Sequence, residues 1–419
     1  MSGVVRYPNY KQTGIPWLPE APESWDVKKL HQFCSEGKTK NRGNVVSNVL
    51  SLSYGNIIRK KDIYSGLTPT DFSTYQIVEE GYVVLRLTDL QNDHKSLRCG
   101  FVRERGIITS AYVSLIPKGI FPAYLYKILH AWDLLKAFYS MGGGLRQSLK
   151  FSELSNIKIL VPSFPEQRAI VAYLDDKCGK IDELVAAKEK EVELLKELKQ
   201  TVIADAVTKG IDGSSPNKET GVFWQPLMPE GWSVRKLRHI LKKLDRPRPD
   251  GAELLVCTNK GTVNKRGDAK IGLVSEDVSI YQGVASGDLL IHGMDTWHGA
   301  IAVSKLNGMC TTVVHVCDST ENKLFVAHYL RNMARGRLFK LLSNGVRQNT
   351  SDFRSWEKLA PLQIVLPPRE EQNRIVAYIE EKTAKIDQAV AGLTQQVAAL
   401  KEYKQRLIAD VVTGQMRVA

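Results

Sequence analysis

The strongest constraint on the fold is an internal repeat. "EQRAIVAYLDDKCGKID" begins at Glu166 and "EQNRIVAYIEEKTAKID" begins at Glu371. The two phrases start one unbroken match, 166–208 against 371–413, in which more than half of the positions are identical. It includes Tyr173/Tyr378, Lys180/Lys385 and the endings "IADAVT" and "IADVVT". Shorter matches carry the repeat along the rest of the chain. "KQTGIPWLPEAPESWDVKKL" (11–30) answers "KETGVFWQPLMPEGWSVRKL" (218–237), "GLRQS" (144–148) answers "GVRQN" (345–349), and "ILVPS" (159–163) answers "IVLPP" (364–368). A period near 205 residues is too long for a solenoid, so the chain is a duplicated module.

Each copy ends in a long amphipathic helix. Ile386, Val390, Leu393, Val397, Leu400, Leu407 and Val411 are spaced by fours and threes, with Lys404 in the gap. Ile181, Val185, Val192, Leu195, Val202 and Ala206 hold the same register in the first copy, with Lys188 and Lys199 in its gaps. This is a heptad seam. Pro162 and Pro367 stand just ahead of the helices, where proline is tolerated. Gly179 is a candidate kink. Two such seams can pair within one chain, and modules related by a pseudo-twofold axis would make the helices antiparallel. The competing arrangement packs each helix on its own domain alone.

Ahead of each helix the chain reads as short strands with turns. "VVLRL" (83–87), "YVSLI" (112–116), "DLLIHG" (288–293) and "TTVVHV" (311–316) are β-rich, while 121–141 and 325–342 look helical. "GYVVL" and "GDLLI" occupy equivalent places, as do "LSLSYGN" (50–56) and "VCTNKGT" (256–262). Between these landmarks the copies diverge, as 59–74 against 263–278 shows. A shared scaffold with unshared loops is the pattern of two readers with different targets. The expected fold class is α+β: two pseudo-symmetric α/β recognition domains separated by two long antiparallel helices that form an intramolecular coiled coil. The boundaries are 1–160 for the first domain, 161–212 for the first helix, 213–365 for the second domain and 366–419 for the second helix.

Charge bears on the partner. The net charge is +13. The segment 166–208 is net −3 and 371–413 is neutral, so the remaining segments together carry +16. A basic surface outside the helices suits a polyanion, most often nucleic acid. Cys34, Cys99, Cys178, Cys257, Cys310 and Cys317 include no CxxC pair, which argues against a zinc site or a disulfide framework. There is no signal-like apolar segment and no run of about 18 apolar residues. A cytoplasmic location without membrane attachment is expected.

Catalytic signatures are missing. No G-x-x-x-x-G-K-[ST] loop, no glycine-rich turn suited to S-adenosylmethionine and no Asn-Pro-Pro-aromatic sequence occurs. "GGG" (142–144) follows a helix and reads as a loop. His292 and His298 with Asp288 and Asp295 are a weak metal candidate, since histidines in strands and turns are more often satisfied structurally. Asp182 and Asp387 read as helix-surface charges. No catalytic residue and no metal site is assigned.

The repeated P-x-x-E-Q-x-x-I-V-A-Y-[LI], the G-[LV]-R-Q ahead of it, and the G-x-x-W…P-E-x-W-x-V-x-K-L lead-in to each half resemble the specificity subunit of type I restriction-modification systems. The resemblance spans essentially the whole chain and rests on the order and spacing of motifs. Phe223 opposite Pro16 is a small departure. It implies a non-catalytic subunit that binds double-stranded DNA, one half of a bipartite asymmetric site per domain, with the helices as spacer. It further implies two modification (methyltransferase) subunits and restriction subunits as partners, with S-adenosylmethionine, ATP and Mg2+ held by those partners and no cofactor held by this chain. Glu166-Gln167 and Glu371-Gln372 would cap helices or contact subunits.

Base-edge and phosphate contacts call for Arg, Lys, Asn and Gln. Candidates in the first domain are Lys40, Asn41, Arg42, Arg59, Lys60, Lys61, Arg146 and Gln147. In the second they are Arg246, Arg248, Lys260, Asn264, Lys265, Arg266, Arg347 and Gln348. Arg146-Gln147 and Arg347-Gln348, present in both copies, are expected to hold backbone or structure. Three alternatives stay open: a recognition subunit of a methylation defence system without restriction subunits, a nuclease with an unfamiliar site, and a coiled-coil adaptor that binds nucleic acid without sequence preference.

Overall fold

A computed structural model describes residues 5–60, 71–90, 96–141, 148–213, 216–267, 279–343 and 353–418. The chain divides into two compact units, 1–189 with 394–419, and 190–393. The long helices Phe164–Lys209 and Arg369–Val412 therefore each give one half to each unit. Both are unbroken, including at Gly179.

Within each unit two helix halves run antiparallel. In the first unit, Lys404 Nζ donates to Asp182 Oδ1 at 2.7 Å, Lys188 to Gln396 at 2.6 Å and Lys401 to Glu189 at 2.7 Å. In the second, Lys199 Nζ donates to Asp387 Oδ2 at 2.6 Å. Asp182 and Asp387 are repeat mates, as are Lys199 and Lys404, so the same tie occurs once per unit. The lysines that interrupt the apolar seam are the residues that fix its register. Ile181, Val185, Val192, Val397 and Leu407 are buried, and Leu195, Val202, Ile386, Val390, Leu393 and Leu400 are half-buried. The arrangement with helices packed only on their own domains is thereby excluded.

Each unit also holds one four-stranded antiparallel sheet of the same order. In the first, Cys34–Gly37 pairs with Val113–Pro117, which pairs with Val83–Leu85, which pairs with Cys99–Phe101. In the second, Lys242–Lys243, Val314–Asp318, Leu289–His292 and Ile301–Val303 follow in that order. The helices expected from 121–141 and 325–342 are shorter. They are Pro122–Leu134 and Lys323–Arg335, and each stops where a non-glycine residue turns left-handed: Lys136 at φ 59° and Arg337 at φ 58°.

The repeated Glu-Gln pair forms a joint. Trp25 is fully buried and its indole N–H donates to Glu166 Oε1 at 3.1 Å; Trp232 does the same to Glu371 at 3.0 Å. Gln167 accepts the Phe121 N–H at 2.8 Å and donates to the Pro162 carbonyl at 2.9 Å. Gln372 accepts the Asn322 N–H at 2.8 Å and donates to the Pro367 carbonyl at 2.9 Å. Phe121 and Asn322 open the two short helices, so one amide side chain couples the start of each long helix to the domain beside it. Both glutamines are buried, as polar groups can be when their bonds are satisfied.

Candidate nucleic-acid interface

Each unit carries a second, smaller core apart from the one around the helices. In the first it is built on Leu50, Val78, Val84, Val102 and Ile108. In the second it includes Leu255, Val284, Leu290 and Val316. A hairpin covers each: Leu50–Ser53 with Asn56–Arg59, and Leu255–Cys257 with Val263–Lys265. Equivalent bridges anchor them, Lys40 to Gln76 and Val49 to Ile107 in one unit, Pro247 to Gln282 and Leu254 to Met309 in the other. The candidate residues that lie in described segments ride on these small cores, so residues up to about 20 apart in sequence are gathered onto one substructure per unit. Lys61, Arg146, Gln147, Arg347 and Gln348 lie outside the described residues.

The first hairpin turns at Tyr54 (φ 45°) and Gly55 (φ 80°), two successive left-handed residues that match the twist of a tight hairpin. The turn pushes Tyr54 out, 78 % exposed. Tyr54 is not among the candidates named from the sequence, although a Tyr-Gly turn between alternating residues signals it. Arg59 and Lys60 are exposed at the end of the hairpin. Arg59 is paired with Glu104, whose hydrogen bonds hold the guanidinium above its ordinary pKa. Lys40 donates to the Thr74 carbonyl at 3.1 Å, and Arg42 is exposed. Asn41 holds the loop instead of facing a ligand. It is fully buried, with Nδ2 on the Val46 carbonyl at 2.9 Å and Oδ1 on the Val46 N–H at 3.0 Å.

In the second unit Lys260, Asn264 and Lys265 are exposed and Arg266 is half-buried. Lys265 pairs with Glu253. Arg246 reaches the buried carboxylate of Asp288 at 2.5 Å, and that bond raises its pKa. Arg248 lies 3.7 Å from Asp250. Arg246 is therefore a fixed cation, whereas among the described residues the exposed side chain of Asn264 makes no hydrogen bond. Among the described residues no group of three or more His, Cys, Asp and Glu is placed to hold a metal. His292 is tied to its own turn, accepting the Asp295 N–H at 3.1 Å, and burial lowers its pKa. Asp288 is occupied by Arg246. The six cysteines are free thiols, all buried. Among the described residues no helix is long and apolar enough to cross a membrane.

No protein-family model matches the sequence. The type I restriction enzyme StySPI specificity subunit of Salmonella potsdam is 24% identical over 329 residues, covering 76% of this chain and 68% of its own. A chain from a structure of complex assembly and conformational transition in the type I R-M system superposes with a TM-score of 0.70, at 15% identity, over 94% of this chain and 99% of that one. The HsdS subunit from Thermoanaerobacter tengcongensis superposes with a TM-score of 0.54, at 16% identity, over 94% and 98%. The chain has the fold of a type I specificity subunit. The resemblance read from the motifs thus holds in sequence and in architecture, and the mixed fold with two long helices matches that of the HsdS subunit.

Proposed function

We propose that this chain is the sequence-reading subunit of a type I restriction-modification complex. Each unit reads one half of a bipartite DNA site, and methyltransferase and restriction subunits dock on the chain and supply the chemistry. S-adenosylmethionine, ATP and Mg2+ belong to those partners, and no step of the reaction is assigned to this chain. One observation carries the reading. The frame is the same in both units, down to the Asp–Lys helix tie, the Trp–Glu joint and the glutamine clamp, while the side chains on the two hairpins differ. Duplicated support with unlike faces is what an asymmetric two-part target requires. Two linked readers also gain from effective concentration, since the second half-site binds as an intramolecular event.

Exposed lysines and arginines on the hairpins supply salt-dependent phosphate affinity, and Asn264 and Arg266 are suited to base edges in the second unit. The test is to express the chain with its methyltransferase subunits and map the methylated adenines. A two-part motif with an unread spacer is expected, and a continuous or palindromic motif would refute the reading. The purified chain alone, given duplex DNA and Mg2+, should neither cut nor methylate; activity there would mark it as an enzyme in its own right.

A further inference from the structure

The second unit contains a cavity that the reading above leaves unused. It has a volume of about 260 Å3 and lies between the C-terminal half of the first long helix, the helix Lys323–Arg335 and the turn at Lys260-Gly261. Its basic lining is Lys199, Lys260, His328, Arg331 and Arg335, with no carboxylate among the lining residues; burial lowers the His328 pKa to about 4, so that imidazole is neutral near pH 7. Lys199 is balanced by Asp387 at 2.6 Å. Among the described residues Lys260, Arg331 and Arg335 have no carboxylate partner. Among the described residues neither the Lys260 ammonium nor the Arg335 guanidinium has a hydrogen-bond or ion-pair partner. Arg331 spends one N–H on the Lys260 carbonyl at 2.7 Å, which leaves its other donors available. The approach is close. Gly261, at φ 77°, lies so near the Arg331 guanidinium that any Cβ there would collide with it. Burial lowers the pKa of Arg331.

Lys260 and Arg335 reach solvent at the cavity rim, while the half-buried Arg331 has lost part of its hydration, which an anion in the cavity would replace. Arg331 and Arg335 are one helical turn apart, so their two planar forks face the same space. Such forks bind oxyanions bidentately. A single carboxylate or a single phosphodiester would leave most of the positive charge unmet, whereas a phosphate monoester, a pyrophosphate or two neighbouring backbone phosphates matches it.

The duplicated frame supplies a control. Phe121 and Asn322 are equivalent through their bonds to Gln167 and Gln372, which places Lys127 opposite His328, His130 opposite Arg331 and Leu134 opposite Arg335. In the first unit Lys127 is neutralised by Asp175 at 2.7 Å. The cationic cavity is therefore not a by-product of the scaffold. We infer that it is a binding site for a phosphate or pyrophosphate group, carried either by a DNA backbone or by a free phosphate compound.

The test uses the full chain without divalent metal, titrated with pyrophosphate against chloride at matched ionic strength and followed by calorimetry and thermal unfolding. Saturable binding is expected. Arg335→Glu should weaken it at least tenfold and Arg335→Ala somewhat less, with both variants checked by circular dichroism; Arg335 is exposed, so neither should disturb folding. Displacement of pyrophosphate by duplex DNA identifies the backbone as the source, and retention under saturating DNA identifies a free phosphate compound. Absence of saturable binding, or unchanged affinity in a folded Arg335→Glu chain, overturns the inference.

Discussion

The Gln372 clamp offers a sharp test because the molecule contains its own control. Gln372 is fully buried, and its amide accepts the Asn322 N–H and donates to the Pro367 carbonyl and to Glu321 at 2.7 Å. Gln372→Ala removes all three bonds and leaves the buried Pro367 carbonyl and the part-buried Asn322 N–H without their partner. Asn322 is also the cap of its helix, accepting from the N–H groups of Leu324 and Phe325 at 3.0 and 3.2 Å, so its displacement loosens the first helical turn as well. A hydrogen bond lost to water costs about 1 kcal/mol, and a buried group left bare costs about 1–3 kcal/mol. The sum expected is about 2–4 kcal/mol, confined to the second unit. Hydrogen exchange reads this residue by residue: 3 kcal/mol corresponds to roughly a hundredfold faster exchange at the Asn322 amide where opening is local. The Phe121 amide, held by Gln167 in the first unit, should be unchanged. Exchange at Asn322 within a factor of about three of wild type, or an equal change at Phe121, would refute the clamp.

Other outcomes follow from the same geometry. Burial, aided by Lys127 and Lys404, lowers the His130 pKa to about 4. The unfolded chain, with an ordinary histidine near 6.5, binds the proton first, so stability should fall as pH drops from about 6.5 to about 4. Urea midpoints across that range should be less pH-dependent in His130→Asn, and an unchanged slope would exclude the buried neutral imidazole. Removing one heptad from each long helix, 189–195 and 391–397, shortens each by roughly 10 Å, or about three base pairs of DNA. Both Asp–Lys ties survive that deletion. The unread spacer of the methylated motif should contract by about three base pairs, and an unchanged spacer would detach helix length from target geometry. Asn264→Ala and Arg266→Ala should each relax one half-site and leave the other intact, read from the same methylation map; loss of preference in both halves would count against separate readers.

What the sequence revealed, and what it hid, divides along the repeat. The helix pair was legible because a heptad seam needs only spacing, and the lysines in its gaps even mark where the ties to Asp182 and Asp387 form. The domain helices were legible as positions, not as lengths: 121–141 reads as one helix because nothing in "LLKAF" announces that Lys136 turns left-handed. The Glu-Gln pair could be seen but not interpreted, since its partners Trp25, Phe121, Trp232 and Asn322 are 46 to 141 residues away. Asn41 misled for a related reason. An Asn between Lys and Arg looks like a base reader, yet its amide is consumed by Val46, five residues on. The shared Asp182/Asp387 with Lys199/Lys404, Trp25/Trp232 with Glu166/Glu371, and Gln167/Gln372 are joints, ionic, aromatic or amide, and a joint must be kept wherever the frame is reused. Residues that differ, Arg331 and Arg335 against His130 and Leu134, or Asn264 and Lys265 on a hairpin that elsewhere presents Tyr54, are free of that duty. A duplicated chain thus sorts its own side chains, and the search for what each unit recognises belongs among the positions where its halves disagree.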